Sequence, residues 1–187
     1  MATKQNKKEI KEIIEPKDIW LGRPDAPVSL VMYGDYESKA CAKANKVVKK
    51  LLCDYEGKVK FNFRHFPLTQ VNQHSHKAAE AAVGASQEGK FAGMHELLFE
   101  NQDKLGTVSL KQYAREAGVT DKNFLPKLVE STYGWTVRTD LLEGLRLGVR
   151  DVPAFFINDE KFEGKVSAEK LGKAIEDALK SKHNTVA

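Results

Sequence analysis

The sequence predicts an α/β fold: a central mixed sheet in the order βαβ…ββα, with a helical domain inserted at its middle. Three observations predict it. Apolar strand-like runs at 28–33 and 59–66 flank a single helical period. The following stretch of about 75 residues carries only helical spacings. A short apolar run directly after Pro153 leads into a turn and a last amphipathic stretch. With 187 residues, 41% hydrophobic and 30% charged, the chain can bury a substantial core.

Residues 1–21 form a polar arm in which Ile10, Ile13 and Ile14 make a short apolar stripe. The turn cluster Gly22-Arg23-Pro24-Asp25-Ala26-Pro27 ends it. The first half of the sheet domain spans 22–72. Its first strand, Val28-Ser29-Leu30-Val31-Met32-Tyr33, is uniformly apolar enough to be buried. A helix over 39–52 turns Val47, Val48, Leu51 and Leu52 toward the core, and Gly57 stops the chain beyond it. Residues 59–66 alternate apolar and polar, predicting a half-buried strand. A right-handed crossover makes these two strands parallel.

The inserted helical domain spans 73–148. It opens with an alanine-rich helix bearing Ala78, Ala79, Ala81, Ala82 and Ala85. Phe91, Met94, His95 and Leu98 then recur on one helical face. Ser109 and Gln112 have capping-box spacing ahead of Tyr113, with Gly118 as the stop. A short helix carries Phe124 and Leu128, and another runs from about 133 to 147 with Leu142 and Leu145 as core candidates. The second half of the sheet domain, 149–182, contains the run Ala154-Phe155-Phe156-Ile157, a turn at 158–160 and a return strand. Ser167 caps a final helix with Leu171, Ile175 and Leu179 on one face, and 183–187 form a tail.

The most informative stretch is Ser38-Lys39-Ala40-Cys41, at the junction of the first strand and helix. A Cys-x-x-Cys at such a junction is a thioredoxin-like redox motif. Here the second thiol, Cys41, is present, and the first position is Ser38. Disulfide exchange needs an attacking thiolate, and a serine hydroxyl supplies none. Ser38 reads equally as a helix N-cap and as a hydrogen-bonding group for a bound thiol. Cys41 is either a buried inert thiol or, if reachable, a partner for glutathione. Cys53 lies twelve residues on, about 18 Å along a helix, too far for a bridge; it is expected to be a small buried apolar residue.

The formal net charge of +4 is spread among interleaved lysines and acids, which excludes a nucleic-acid-binding stripe. No apolar run approaches the roughly 20 residues of a membrane helix. The lysine- and glutamate-rich start lacks a leader's apolar core. A cytoplasmic location and no membrane partner are therefore expected. His65, His74, His76 and His95 show no metal-ligand spacing, so structural histidines and no metal are expected.

In order along the chain, several pieces carry a family likeness: Asp25-Ala26-Pro27-Val28, Tyr33-Gly34-Asp35-Tyr36-Glu37, Phe63-Arg64-His65-Phe66-Pro67, Gly89-Lys90-Phe91, His95-Glu96-Leu97-Leu98 and Val152-Pro153-Ala154-Phe155-Phe156. Together they resemble the DsbA-like family of thioredoxin-fold disulfide oxidoreductases over about residues 22–180. The resemblance implies a thioredoxin-like fold and places the missing nucleophilic cysteine at Ser38 and the resolving one at Cys41. It implies a cis-proline at Pro153 facing the motif, with Val152, Pro153, Lys39 and Ala40 as substrate-binding residues. Lys39 and Ala40 also depart from the usual motif. The implied function is that of a thiol-disulfide oxidoreductase relative with a degenerate Ser-x-x-Cys motif and impaired dithiol exchange. Its partner would be a thiol-containing protein, a peptide or glutathione, with no resident cofactor. Two alternatives are a non-redox binding module and an enzyme similar to kappa-class glutathione transferases, which use a serine at the motif start to bind glutathione.

Overall fold

A computed structural model of the protein describes residues 12–184; Ile10 of the proposed N-terminal stripe lies outside them. The first strand, β1 (Val28–Gly34), leads into α1 (Lys39–Asp54) and β2 (Val59–His65). Five helices follow: α2 (Ser75–Ser86), α3 (Phe91–Glu100), α4 (Thr107–Glu116), α5 (Phe124–Val129) and α6 (Gly134–Arg146). The chain then returns through β3 (Ala154–Ile157), β4 (Glu160–Lys161) and α7 (Ala168–Asn184). The sheet order is β2-β1-β3-β4, with β1 and β2 parallel and the other neighbours antiparallel. This is the βαβ…ββα order expected from the sequence.

The β3–β4 hairpin turns at Asn158 and Asp159, with φ of 48° and 70°. Asparagine and aspartate tolerate that left-handed conformation, which suits a tight hairpin. Leu30, Met32, Phe61, Phe63 and Phe155 are all essentially inaccessible. Each such side chain stabilises the fold by roughly 1.5–3 kcal/mol. The same buried cluster continues into the helical block through Ala78, Met94, Leu98 and Leu128.

Four local expectations need correction. Strand β2 is buried on both faces rather than half-buried. Its polar residues are covered: Asn62 donates to the carbonyls of Pro16 and Ile19, and Arg64 lies under α6. Helix α4 begins at Thr107 with Gly106 as its N-cap, so Ser109 lies inside it and forms no capping box. Cys53 is exposed. The buried face of α1 is Cys41, Ala44, Asn45, Val48 and Leu51, and two residues past Leu51 is about 200° around the helix.

Leu142 and Leu145 are exposed rather than core residues. The inward face of α6 is Thr136, Val137, Asp140 and Gly144. Asp140 accepts from Arg64 Nε at 2.5 Å and from the His65 amide at 2.9 Å, while Arg64 also reaches Glu143. Burial pushes the Asp140 carboxyl up to about 6, against the pull of Arg64. At Gly144 a Cβ would stand 2.8 Å from the Phe66 ring and 3.0 Å from Tyr33. An ion pair and a close approach, not leucines, therefore orient this helix.

Replacing Asp140 by Ala leaves the buried Arg64 guanidinium with Glu143 as its remaining carboxylate and the His65 amide without its acceptor, and should cost about 3 kcal/mol. Replacing the exposed Leu142 by Gln should change stability by less than about 0.5 kcal/mol. Urea unfolding of both variants checks the orientation of α6; a reversed order would refute it.

Candidate functional site

The site forms where β1 runs out at Gly34 and α1 begins at Lys39. Serine favours the position between them because its hydroxyl replaces a missing helical partner. Ser38 has an extended backbone (φ −76°, ψ 117°), and its Oγ accepts from the Cys41 amide at 3.3 Å. The Ser38 amide in turn donates to the Asp35 carbonyl at 3.2 Å.

Asp35 organises the turn. One carboxylate oxygen accepts from the Glu37 amide at 2.8 Å. The other accepts from the Leu68 amide at 2.8 Å and the Asn72 side chain at 2.9 Å. The loop after β2 is thereby fastened beside the motif. From the turn just past α3, Gln102 donates to the carbonyls of Tyr36 and Ser38 at 2.5 and 2.9 Å. Asp35 and Gln102 were missed as site residues. The available signals were an aspartate just past an apolar strand, three residues before the motif, and the place of Gln102 at the end of the family-like run from His95; neither shows which distant backbone groups it binds.

Cys41 is fully buried, and its sulfur accepts from the Asp35 amide at 3.5 Å. Burial pushes the thiol up to about 11; the hydrogen bonds with Ser38 and the Asp35 backbone pull the other way without offsetting it. Lys39 and Ala40 are exposed. Val152 is buried and Pro153 half-buried, and the peptide bond joining them is cis. Ala40, Val152 and Pro153 line one groove of about 470 Å³, together with Lys43, Ala44, Val47, Asp151, Lys165 and Val166. Ser38, Lys39 and Cys41 are not among its lining residues. Pro153, just ahead of β3, and Ala40, in the first turn of α1, thus line the same groove.

A layer of rings supports the turn. The Tyr36 hydroxyl lies 3.0 Å from His95 Nδ1, and His95 Nε2 lies 3.1 Å from Asn45 Oδ1. Tyr36 donating and His95 Nε2 donating onward satisfies all three groups. Burial holds His95 down to about 3, so this ring is neutral. His65, packed against Tyr36 and Phe63, is also held down to about 3 by burial, His95 and Arg64. Both of its ring nitrogens are buried without a partner. Among the described residues no group of three or more His, Cys, Asp or Glu could hold a metal ion.

The model of the thioredoxin family matches residues 15–177. The chain belongs to the thioredoxin family. Within it, this thioredoxin-fold chain is DsbA-like. It is similar to the oxidised BdbD of Bacillus subtilis, with a TM-score of 0.80 and 25% identity over 89% of this chain and 93% of that one. It is similar to a thioredoxin-like oxidoreductase of Silicibacter pomeroyi, with a TM-score of 0.74 and 28% identity over 87% and 92%. Its likeness to alpha-DsbA1 of Wolbachia pipientis, with a TM-score of 0.77 and 20% identity over 90% and 94%, speaks for the fold. By sequence it is 34% identical to the Na(+)/H(+) antiporter NhaA 3 of Salinispora tropica over 86% of this chain. This thioredoxin-family chain spans about a quarter of the length of the antiporter relatives it matches; for that one the share is 24%.

Two outcomes follow from the burial of these groups. At pH 8 a thiol titrating near 11 is roughly one-thousandth thiolate. Iodoacetamide should label Cys53 in the folded protein and Cys41 only after unfolding, as read by mass spectrometry; rapid labelling of Cys41 would refute its shielding.

The folded values of His65 and His95 lie below the ordinary 6.5, so the unfolded chain binds more protons between about pH 6.5 and 3. Their contribution to stability is complete above pH 6.5 and is lost as pH falls toward 3. Asp140, raised from 3.8 to about 6, runs the other way between those values, and the two histidines outweigh it. Replacing His65 by Phe should remove two unpaired buried nitrogens, raise stability by about 1–3 kcal/mol, and flatten the acid limb of a melting-temperature profile. An unchanged acid limb would count against the role of His65.

Proposed function

We propose that this DsbA-like protein binds a thiol-bearing or peptide ligand at an intact thioredoxin-fold groove and has lost dithiol exchange. One observation carries the reading: Ser38, not a thiol, caps the helix where the attacking sulfur of a Cys-x-x-Cys would stand, and the remaining Cys41 is buried and raised toward 11. Exchange requires an exposed thiolate that attacks a disulfide sulfur. Neither residue supplies one. Burial of Cys41 also weighs against single-thiol turnover with glutathione. Ser38 accepts from the Cys41 amide, and its hydroxyl proton, which faces the Cys41 sulfur, can turn to a ligand. A ligand thiolate beside the α1 N-terminus would be stabilised by that proton and by the helix dipole.

A glutathione-transferase-like activity is the second reading, favoured by the same hydroxyl. A conjugation assay with 1-chloro-2,4-dinitrobenzene separates it from simple binding.

Insulin reduction by dithiothreitol should proceed in the presence of the wild-type protein no faster than without it. The Ser38→Cys variant should form an intramolecular disulfide with Cys41 in oxidised glutathione and acquire measurable activity. Strong wild-type activity that disappears in Cys41→Ala would refute the loss of exchange. A Ser38→Cys variant that stays fully reduced would show that divergence extends beyond one side chain.

A further inference from the structure

The groove beside Pro153 has an apolar floor and a basic rim. Ala44 and Val152 are buried within it, with Val47 and Val166 completing the floor. Lys43 stands on the α1 bank and Lys165 on the opposite one, just ahead of α7. Both are exposed. Among the described residues neither takes part in an ion pair. Lys49 and Lys50 on the same helix behave differently, pairing with Glu96 and Asp54.

Lys39 adds to the imbalance. It precedes Lys43 by one helical turn, on the same exposed side, and is likewise unpaired among the described residues. Like charges four residues apart repel, and cations in the first turns of a helix oppose its dipole. The first turn of α1 holds no acidic residue to compensate. The one carboxylate lining the groove, Asp151, already accepts from the Val152 amide at 2.8 Å. Asp151 keeps its negative charge and offsets one of the two lining lysines, so the lining is positive by one and Lys39 adds to that excess, which a bound anion would relieve.

We propose that the groove selects an extended peptide segment of small apolar side chains flanked by acidic residues, with Lys43 and Lys165 as the selecting groups. This deepens the binding role proposed above and rests on it. An extended segment sends alternate side chains to the apolar floor, and its acidic flanks meet lysines on both banks. Complementary charge sets partner choice and speeds encounter more than it adds raw affinity. The preference should accordingly weaken as salt rises.

Fluorescence anisotropy with labelled peptides tests this. Three peptides share a Val-Ala-Val centre and carry Glu, Gln or Lys on both sides. The Glu-flanked peptide should bind the wild-type protein about tenfold more tightly than the Gln-flanked one at low ionic strength, and the Lys-flanked one should bind weakest. The double variant K43E/K165E changes two exposed side chains and should keep its melting temperature. It should invert the order of the Glu- and Lys-flanked peptides. Equal binding of all three, or an order that survives in K43E/K165E, would overturn the acidic preference and leave the binding role standing. Failure of all three to bind would overturn the preference and remove peptides from the binding role.

Discussion

The carboxylate of Asp140 fastens the helical insertion to the sheet. It takes one hydrogen bond from the Arg64 side chain and one from the His65 backbone, at the end of β2. Gly144, one turn later, lets α6 settle onto Phe66 and Tyr33 without a side chain between. The end of β2 is thereby held, and the chain that leaves it runs straight to Leu68 and Asn72, the partners of Asp35. Two buried carboxylates in series thus connect the far helix to the turn that presents Ser38. A buried ion pair of this kind is weak evidence of net stability, because desolvation opposes its attraction. Its value here is positional: it ties α6 to the end of β2.

The same scaffold explains why one side-chain difference matters so much to the chemistry and so little to the fold. A thiol and a hydroxyl both cap a helix, and Ser38 satisfies the Cys41 amide as a good N-cap should. Only the thiol reaches its anionic form near neutral pH when a helix N-terminus favours it. Cys41 lies one turn deeper, where loss of water outweighs the hydrogen bonds that reach it. The position that could ionise holds no sulfur, and the sulfur that remains occupies a position where it does not ionise.

The strand and helix order was legible because burial in this fold follows period: β1 is apolar throughout, and α3 repeats Phe91, Met94, His95 and Leu98 on its inward face. Legibility failed where polar or small residues face inward. Asp140 and Gly144 occupy the core side of α6, so the leucines on its outer side were mistaken for the core. Arg64 and Asn62 look like the solvent face of a half-buried strand until α6 and the 16–19 segment are laid over them. Cys53 is apolar in character but two residues off the inward stripe of α1. At the site, Ser38 was legible as the N-cap of α1, and Ala40 and Pro153 share one groove. The supporting hydrogen bonds of Asp35 and Gln102 were not legible, since they join segments more than thirty residues apart through backbone groups that any residue carries.

The groove and the redox position are structurally separable. The groove is lined from Ala40, Lys43 and Ala44 on one side and Val152, Pro153 and Val166 on the other, whereas Ser38 and Cys41 stand outside its lining. Losing a sulfur at position 38 therefore removes no wall of the groove and exposes no core. Small apolar side chains line the floor: Ala44, Val47, Val152 and Val166. Recognition carried by such a floor and by the charges on its rim does not depend on electron transfer. A thioredoxin-fold chain can thus change the residue at the helix cap without changing the lining of its groove.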